Sequence, residues 1–99
     1  EVEDAILKHP DVKEAAAIGV PDALRGQVVK AFVVSPRHGD EAFVQEIQAA
    51  VRTRLSQHEY PRQVAFVDEL PKTPAGKIHR KKLREAELAK SDAAAAAHS

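Results

Sequence analysis

The chain contains no cysteine, no methionine and no tryptophan, and only one tyrosine and three phenylalanines among its 99 residues. The missing cysteine rules out a disulfide, a thiol nucleophile and a thiolate-ligated metal, and it fits a reducing compartment such as the cytoplasm. Long apolar runs are missing too, none approaching the roughly 18 residues of a membrane helix. The first residues, Glu1-Val2-Glu3-Asp4, lack the basic and then apolar pattern of a secretory leader. Neither signal peptide nor anchor is therefore expected, and the natural start of the polypeptide is expected elsewhere. Nor is either charge in excess, since 15 basic residues balance 15 acidic ones, and no global field draws the chain to nucleic acid or anionic lipid. What is present, 43% hydrophobic and 30% charged residues, is the make-up of an ordinary globular domain. A chain this short has room for one modest core.

The charges are unevenly spread. Acidic residues crowd the start (Glu1, Glu3, Asp4, Asp11, Glu14), whereas Lys72, Lys77, Arg80, Lys81, Lys82 and Arg84 gather near the end. That second group should face something anionic.

Val2, Ala5 and Ile6 sit at helical spacing ahead of Pro10 and predict a short helix over residues 1–8. Residues 14–20 and 28–34 are short, partly β-branched apolar runs bounded by Pro21-Asp22 and Pro36, which predicts two strands joined by a loop over 21–27. Phe43, Ile47, Ala50, Val51 and Leu55 recur at helical intervals with Glu46, Gln48, Arg52 and Arg54 between them, the pattern of a surface helix over 41–56. Tyr60-Pro61 breaks that helix, and residues 63–67 read as a third strand with Val64 and Phe66 on one face. Good helix formers return from Ile78 to Lys90, with Leu83 and Leu88 as inward contacts. The order describes an α+β domain over residues 1–90, a sheet of about three strands backed by helices. The alanine-rich residues 91–99 have almost nothing to bury and are expected to form a disordered tail.

Residues 71–77, Pro-Lys-Thr-Pro-Ala-Gly-Lys, cannot be regular structure. Prolines stiffen such a loop, Gly76 lets the backbone approach a partner, and Lys77 offers a mobile point charge suited to a phosphate. It is not a Walker A loop, which needs a glycine where Pro71 stands and a Ser or Thr where Ile78 stands. On spacing alone, an exposed lysine beside a turn glycine is the commoner meaning of such a loop. The five histidines, His9, His38, His58, His79 and His98, are scattered with no i, i+4 pair, so no metal site is expected and each reads as a surface residue. The run Arg80-Lys81-Lys82-Leu83-Arg84 has no interleaved aromatics and reads as a solvated helix face, not a nucleic-acid patch.

From Phe66 to Arg84 the sequence Phe-Val-Asp-Glu-Leu-Pro-Lys-Thr-Pro-Ala-Gly-Lys-Ile-His-Arg-Lys-Lys-Leu-Arg resembles the C-terminal signature of the acyl-adenylate-forming superfamily. That superfamily includes acyl-CoA synthetases, peptide-synthetase adenylation domains and firefly luciferase. The resemblance covers about residues 1–86. Glu1-Val2-Glu3 is similar to the helix start after the family's hinge, Ala16-Ile18-Gly19-Val20-Pro21-Asp22 to its strand and turn, and Gly26 with Lys30-Ala31-Phe32-Val33-Val34 to its second strand. His58-Glu59-Tyr60-Pro61-Arg62 with the Phe66 strand resembles the acetyl-, medium-chain and aryl-CoA synthetases. Gln27 departs from the family's usual glutamate, and Pro74-Ala75 stand where Thr, Ser or Gly are frequent.

The resemblance implies the lid domain of an AMP-forming ligase that converts a carboxylic acid, ATP and CoA to acyl-CoA, AMP and pyrophosphate. It implies Lys77 as the adenylation residue, with cofactor-binding positions at Arg25, Arg52, Tyr60, Pro61, Arg62 and Gly76. Arginine suits CoA because its guanidinium grips phosphate in a fork, although Arg52 on a polar helix face also reads as a solvated charge and Tyr60 as a core aromatic. The resemblance further implies an N-terminal domain of the same polypeptide that holds the MgATP site, without which this piece is inert. It makes Lys77 a target for a lysine acetyltransferase and deacetylase. The competing reading is a stand-alone α+β interaction module whose basic loop and helix bind an anionic partner.

Overall fold

A computed structural model describes residues 2–55 and 60–98, with side chains through Lys90. Its elements are α1 (Val2–Leu7), β1 (Glu14–Asp22), β2 (Gly26–Val34), α2 (Glu41–Arg54), β3 (Gln63–Phe66) and α3 (Arg80–His98). The fold is α+β: a three-stranded sheet in the order β1-β2-β3, antiparallel between β1 and β2 and parallel between β2 and β3.

Alternation along the strands divides the core between the two sheet faces. On one face Ala15, Ala31 and Val33 meet Ala5 and Ile6 of α1 and Phe43, Ile47 and Val51 of α2, with Val64 and Phe66 against them. On the other, Ala16, Ile18, Val20, Phe32 and Val34 meet Leu70, with Ala65, Ile78 and Leu83 against them. Helix α2 begins where Asp40 caps it, its side chain accepting from the Phe43 amide at 2.9 Å.

Several boundaries differ from those the sequence predicts. Strand β1 runs through Pro21 to Asp22 and β2 begins at Gly26, so the expected 21–27 loop is a tight hairpin. Pro21 is tolerated because β1 is an edge strand, where a missing backbone donor costs no ladder bond. Gly26 closes the hairpin at φ 79°, and Asp22 accepts from the amides of Leu24 and Arg25, a side-chain turn that Asp favours. Helix α3 starts at Arg80 because Ile78 pairs with Lys72 instead, and it runs to His98, past the expected end at Lys90 and through alanine-rich residues expected to be disordered, alanine being the best helix former. Leu83 packs inward as expected, but Leu88 is 50% exposed. Glu87 takes the inward place there, since Lys30 on β2 reaches it at 2.8 Å.

Candidate functional site

Between Leu70 and Ile78 the backbone can extend neither strand nor helix, because Pro71 and Pro74 remove donors and fix φ. It turns instead. The Gly76 amide donates to the Thr73 carbonyl at 2.8 Å, with proline at the second and glycine at the fourth position, as a type I turn favours. Gly76 sits at φ 82°, a conformation open to glycine at little cost. The Thr73 amide donates to the Lys77 carbonyl at 2.7 Å and the His79 amide to the Pro71 carbonyl at 2.8 Å, around the Lys72–Ile78 bridge. Lys77 therefore stands on a short hairpin, next to its tip.

The charge there is lopsided. Lys77 is exposed and has no ion-pair partner among the described residues, whereas Lys72 in the same hairpin is held by Glu14 at 2.7 Å. The first turn of α3 carries Arg80, Lys81 and Lys82 and no acidic residue, at the positive end of the helix dipole. Arg80 is paired with Glu3; the other charges stay available to an anion. The anionic surroundings expected for the basic stretch are thus partly the chain's own acidic start.

Of the remaining predicted site residues, four converge. Arg25, on the β1–β2 hairpin, and Arg62, just before β3, line one shallow depression with Gln27, Val28 and Val29. Arg62 also lies 5.0 Å from the centre of the Tyr60 ring, and Arg52 of α2 lies 4.8 Å from it, within cation–π range. Tyr60 thus packs on the core and carries two guanidinium groups. Pro61 is fully buried, and its carbonyl accepts from Gln48 at 3.0 Å, so it anchors this cluster rather than facing a ligand. His58 and Glu59 lie outside the described residues. Lys77 and Gly76 belong to the other end of the sheet. Glu14, bound to the foot of the Lys77 hairpin, opens β1, and Asp22 at the Arg25 hairpin closes it. At about 3.3 Å per residue the two ends are roughly 26 Å apart.

Two histidines make contacts beyond those of a free surface residue. His9 is largely covered, tilted against Phe43 with ring centres 5.2 Å apart and bonded to Glu46 at 2.8 Å. His79 occupies the N-cap position of α3, its Nδ1 accepting from the Lys82 amide at 3.2 Å. Glu46 also takes a fork of two bonds from Arg37 at 2.9 Å; the guanidinium, with His9 beside it, holds this carboxyl down to about 2. Burial pushes the Glu3 carboxyl up, but bonds from Arg80 and the Ala17 amide outweigh it and leave Glu3 below the usual carboxylate range. No local spacing advertises Glu3, since its partner Arg80 is 77 positions away; the only sequence signal is the acidic start set against the basic end. Among the described residues no group of three or more metal-ligating side chains is gathered.

Residues 1–77 match the family model described as the AMP-binding enzyme C-terminal domain. Over 91 residues the chain is 52% identical to the mitochondrial acyl-coenzyme A synthetase ACSM5 of Rattus norvegicus, covering 88% of this chain and 16% of that protein. Over 89 residues it is 46% identical to an uncharacterized acyl-CoA ligase, YtcI, of Bacillus subtilis (strain 168), covering 88% of this chain and 17% of the relative. Among solved structures, a Brucella canis acyl-CoA synthetase superposes with a TM-score of 0.86 at 52% identity, over 91% of this chain and 17% of the other. The chain thus spans about a sixth of the length of these relatives.

Proposed function

Since the chain belongs to the family of AMP-binding enzyme C-terminal domains, we propose that residues 1–90 are the lid of an AMP-forming acyl-CoA synthetase. In this reading a carboxylate attacks the α-phosphate of ATP to give acyl-adenylate and pyrophosphate, and the CoA thiol then displaces AMP to give the thioester. Lys77 serves the first step. Nucleophile and phosphate are both negative, and an aimed ammonium offsets their repulsion while helping to align them. What carries the reading is the separation of two cationic sites: Lys77, without an ion-pair partner among the described residues, on a stiff hairpin at one end of the sheet, and Arg25, Arg52 and Arg62 around Tyr60 at the other. A domain built this way can offer one end to adenylation and, after reorienting, the other to CoA. MgATP and the acid belong to the longer polypeptide's N-terminal domain, on which this lid closes; Leu24, 89% exposed on the Arg25 hairpin, is an apolar contact available to it.

No helix among the described residues is long and apolar enough to cross a membrane, and a cytoplasmic location is part of the proposal, which the bacterial relative fits better than the mitochondrial one. Lys77 is also exposed enough to be acetylated and deacetylated, and acetylation would remove the charge that adenylation needs. The test is Lys77→Ala, alongside protein carrying acetyl-lysine at 77, in the full-length polypeptide. Pyrophosphate exchange should fall by about two to three orders of magnitude, while thioester formation from pre-made acyl-adenylate stays near the parent rate. Equal losses in both half-reactions would remove the division of labour.

A further inference from the structure

The Lys77 hairpin is well formed within itself, but its own backbone bonds do not fix how it is aimed. Between Lys72 and Lys77 no side chain is buried. Apolar anchoring comes only from the flanks, where Leu70 is 3% exposed and Ile78 packs on the same cluster. What else ties the hairpin to the sheet is charge, and both ties run to the acidic start of the chain. At the outgoing foot, Lys72 Nζ meets Glu14 Oε1 at 2.7 Å, at the first residue of β1. At the returning foot, Arg80 Nε donates to Glu3 Oε2 at 2.8 Å while its Nη2 meets Glu3 Oε1.

Glu3 is itself fixed. Its Oε2 accepts from the Ala17 amide at 2.8 Å, a donor left free because β1 is an edge strand. One carboxylate therefore joins α1, β1 and the residue that starts α3. Its side chain is 20% exposed, sheltered enough for charge-assisted bonds to hold a geometry. Both feet are thus referred to a single rigid strand.

We propose that Glu3 and Glu14 are positioning residues for Lys77, holding the two feet of its hairpin against β1 so that the ammonium is aimed. The inference rests on the adenylation role given to Lys77 above. Partly exposed ion pairs contribute little to stability, whereas a displacement of about 1 Å at a reacting centre costs on the order of a hundredfold in rate. Removing either carboxylate should therefore affect adenylation much more than folding.

The test uses the full-length polypeptide with Glu3→Gln, Glu14→Gln and both together. The kcat of pyrophosphate exchange is expected to fall about tenfold for each and further for the pair, with KM for ATP and acid unchanged, the thioester half-reaction intact and the unfolding midpoint within a few degrees. Exchange of Glu14 and Lys72, as Glu14→Lys with Lys72→Glu, should restore most of the loss. Hydrogen exchange over residues 72–78 should quicken in the double variant while β1 and α2 keep their protection. Unchanged kcat, equal loss in both half-reactions, failure of the swap to rescue, or unchanged exchange over 72–78 would each overturn the proposal. Lys77→Ala in parallel tells which claim fails. If it lowers adenylation strongly and the glutamate variants leave kcat unchanged, only positioning falls; if it spares adenylation, the role of Lys77 falls as well.

Discussion

At the scale of single residues, the two cationic sites differ in how openly the sequence declares them. Lys77 is legible because its neighbours leave no other structure available: two prolines and a glycine force a turn, and the family signature surrounds it. Arg25, Arg52 and Arg62 are singled out only by the resemblance, since lone arginines on polar surfaces look alike. The structure adds that Arg25 and Arg62 share a depression and that Arg52 and Arg62 share Tyr60. Arg62 belongs to both pairings, so in the proposed function it is the residue whose loss should matter most for CoA. Arg62→Ala in the full-length polypeptide is expected to raise KM for CoA about tenfold or more, a charge-assisted phosphate contact being worth roughly 1.5–3 kcal/mol. Arg25→Ala should do the same to a smaller degree, and pyrophosphate exchange without CoA should not change. A comparison of CoA with dephospho-CoA identifies the contact: a variant that no longer distinguishes them has lost the grip on the 3′-phosphate. If both variants keep the parent's KM and preference, the depression is not the CoA site.

At the scale of elements, apolar spacing locates α1, α2 and the three strands, because alternating and helical patterns map directly onto buried faces, while α3 is read from its good helix formers. It misplaces ends where polar side chains and turns decide. The β1–β2 hairpin closes tighter than a proline in the connection suggests, since Asp22 and Gly26 supply the turn. Helix α3 starts two residues late because the Lys77 hairpin claims Ile78. The same junction is where a histidine escaped notice: His79 is spaced like a surface residue, but its ring accepts from the Lys82 amide and its carbonyl from the Leu83 amide at 3.4 Å. That is the bonding of an N-cap, which satisfies an otherwise orphaned donor. His79→Ala should therefore lower unfolding free energy by about 0.5–1 kcal/mol, and His79→Asn, a better cap, should recover it. Denaturant titration checks this, and equal stability of the parent and the alanine variant would show that the cap contributes nothing.

At the scale of the whole molecule, zero net charge conceals opposite charges paired across long stretches of sequence: Glu3 with Arg80, Glu14 with Lys72, Glu87 with Lys30, and Asp11 and Glu46 with Arg37. The uneven spread of charge was visible in the sequence; which acid meets which base was not, because the sheet brings those positions together only once it forms. This arrangement sets the response to acid. The carboxyls of Glu46, Glu3 and Glu87 lie below the ordinary value of 4.5 in the folded chain. Arg37 and then His9 hold Glu46 at about 2, while at Glu3 and Glu87 burial raises the carboxyl and the partner's bonds more than reverse it. The unfolded chain, with ordinary carboxyls, binds more protons than the folded one between these values, so stability is fully present above about pH 5 and is lost as pH falls toward 2. Thermal midpoints should accordingly be level from about pH 5.5 to 7 and decline steadily below about pH 5. Arg37→Ala should make that decline shallower, since the largest hold on the Glu46 carboxyl is then gone and only His9 is left to lower it. It also removes a guanidinium 4.4 Å from the Phe43 ring centre, which lowers stability at every pH, so the slope rather than the midpoint is the measurement. A parent and an Arg37→Ala chain that lose stability equally steeply between pH 5 and 2 would show that the Arg37–Glu46 fork is not what makes the fold acid-sensitive.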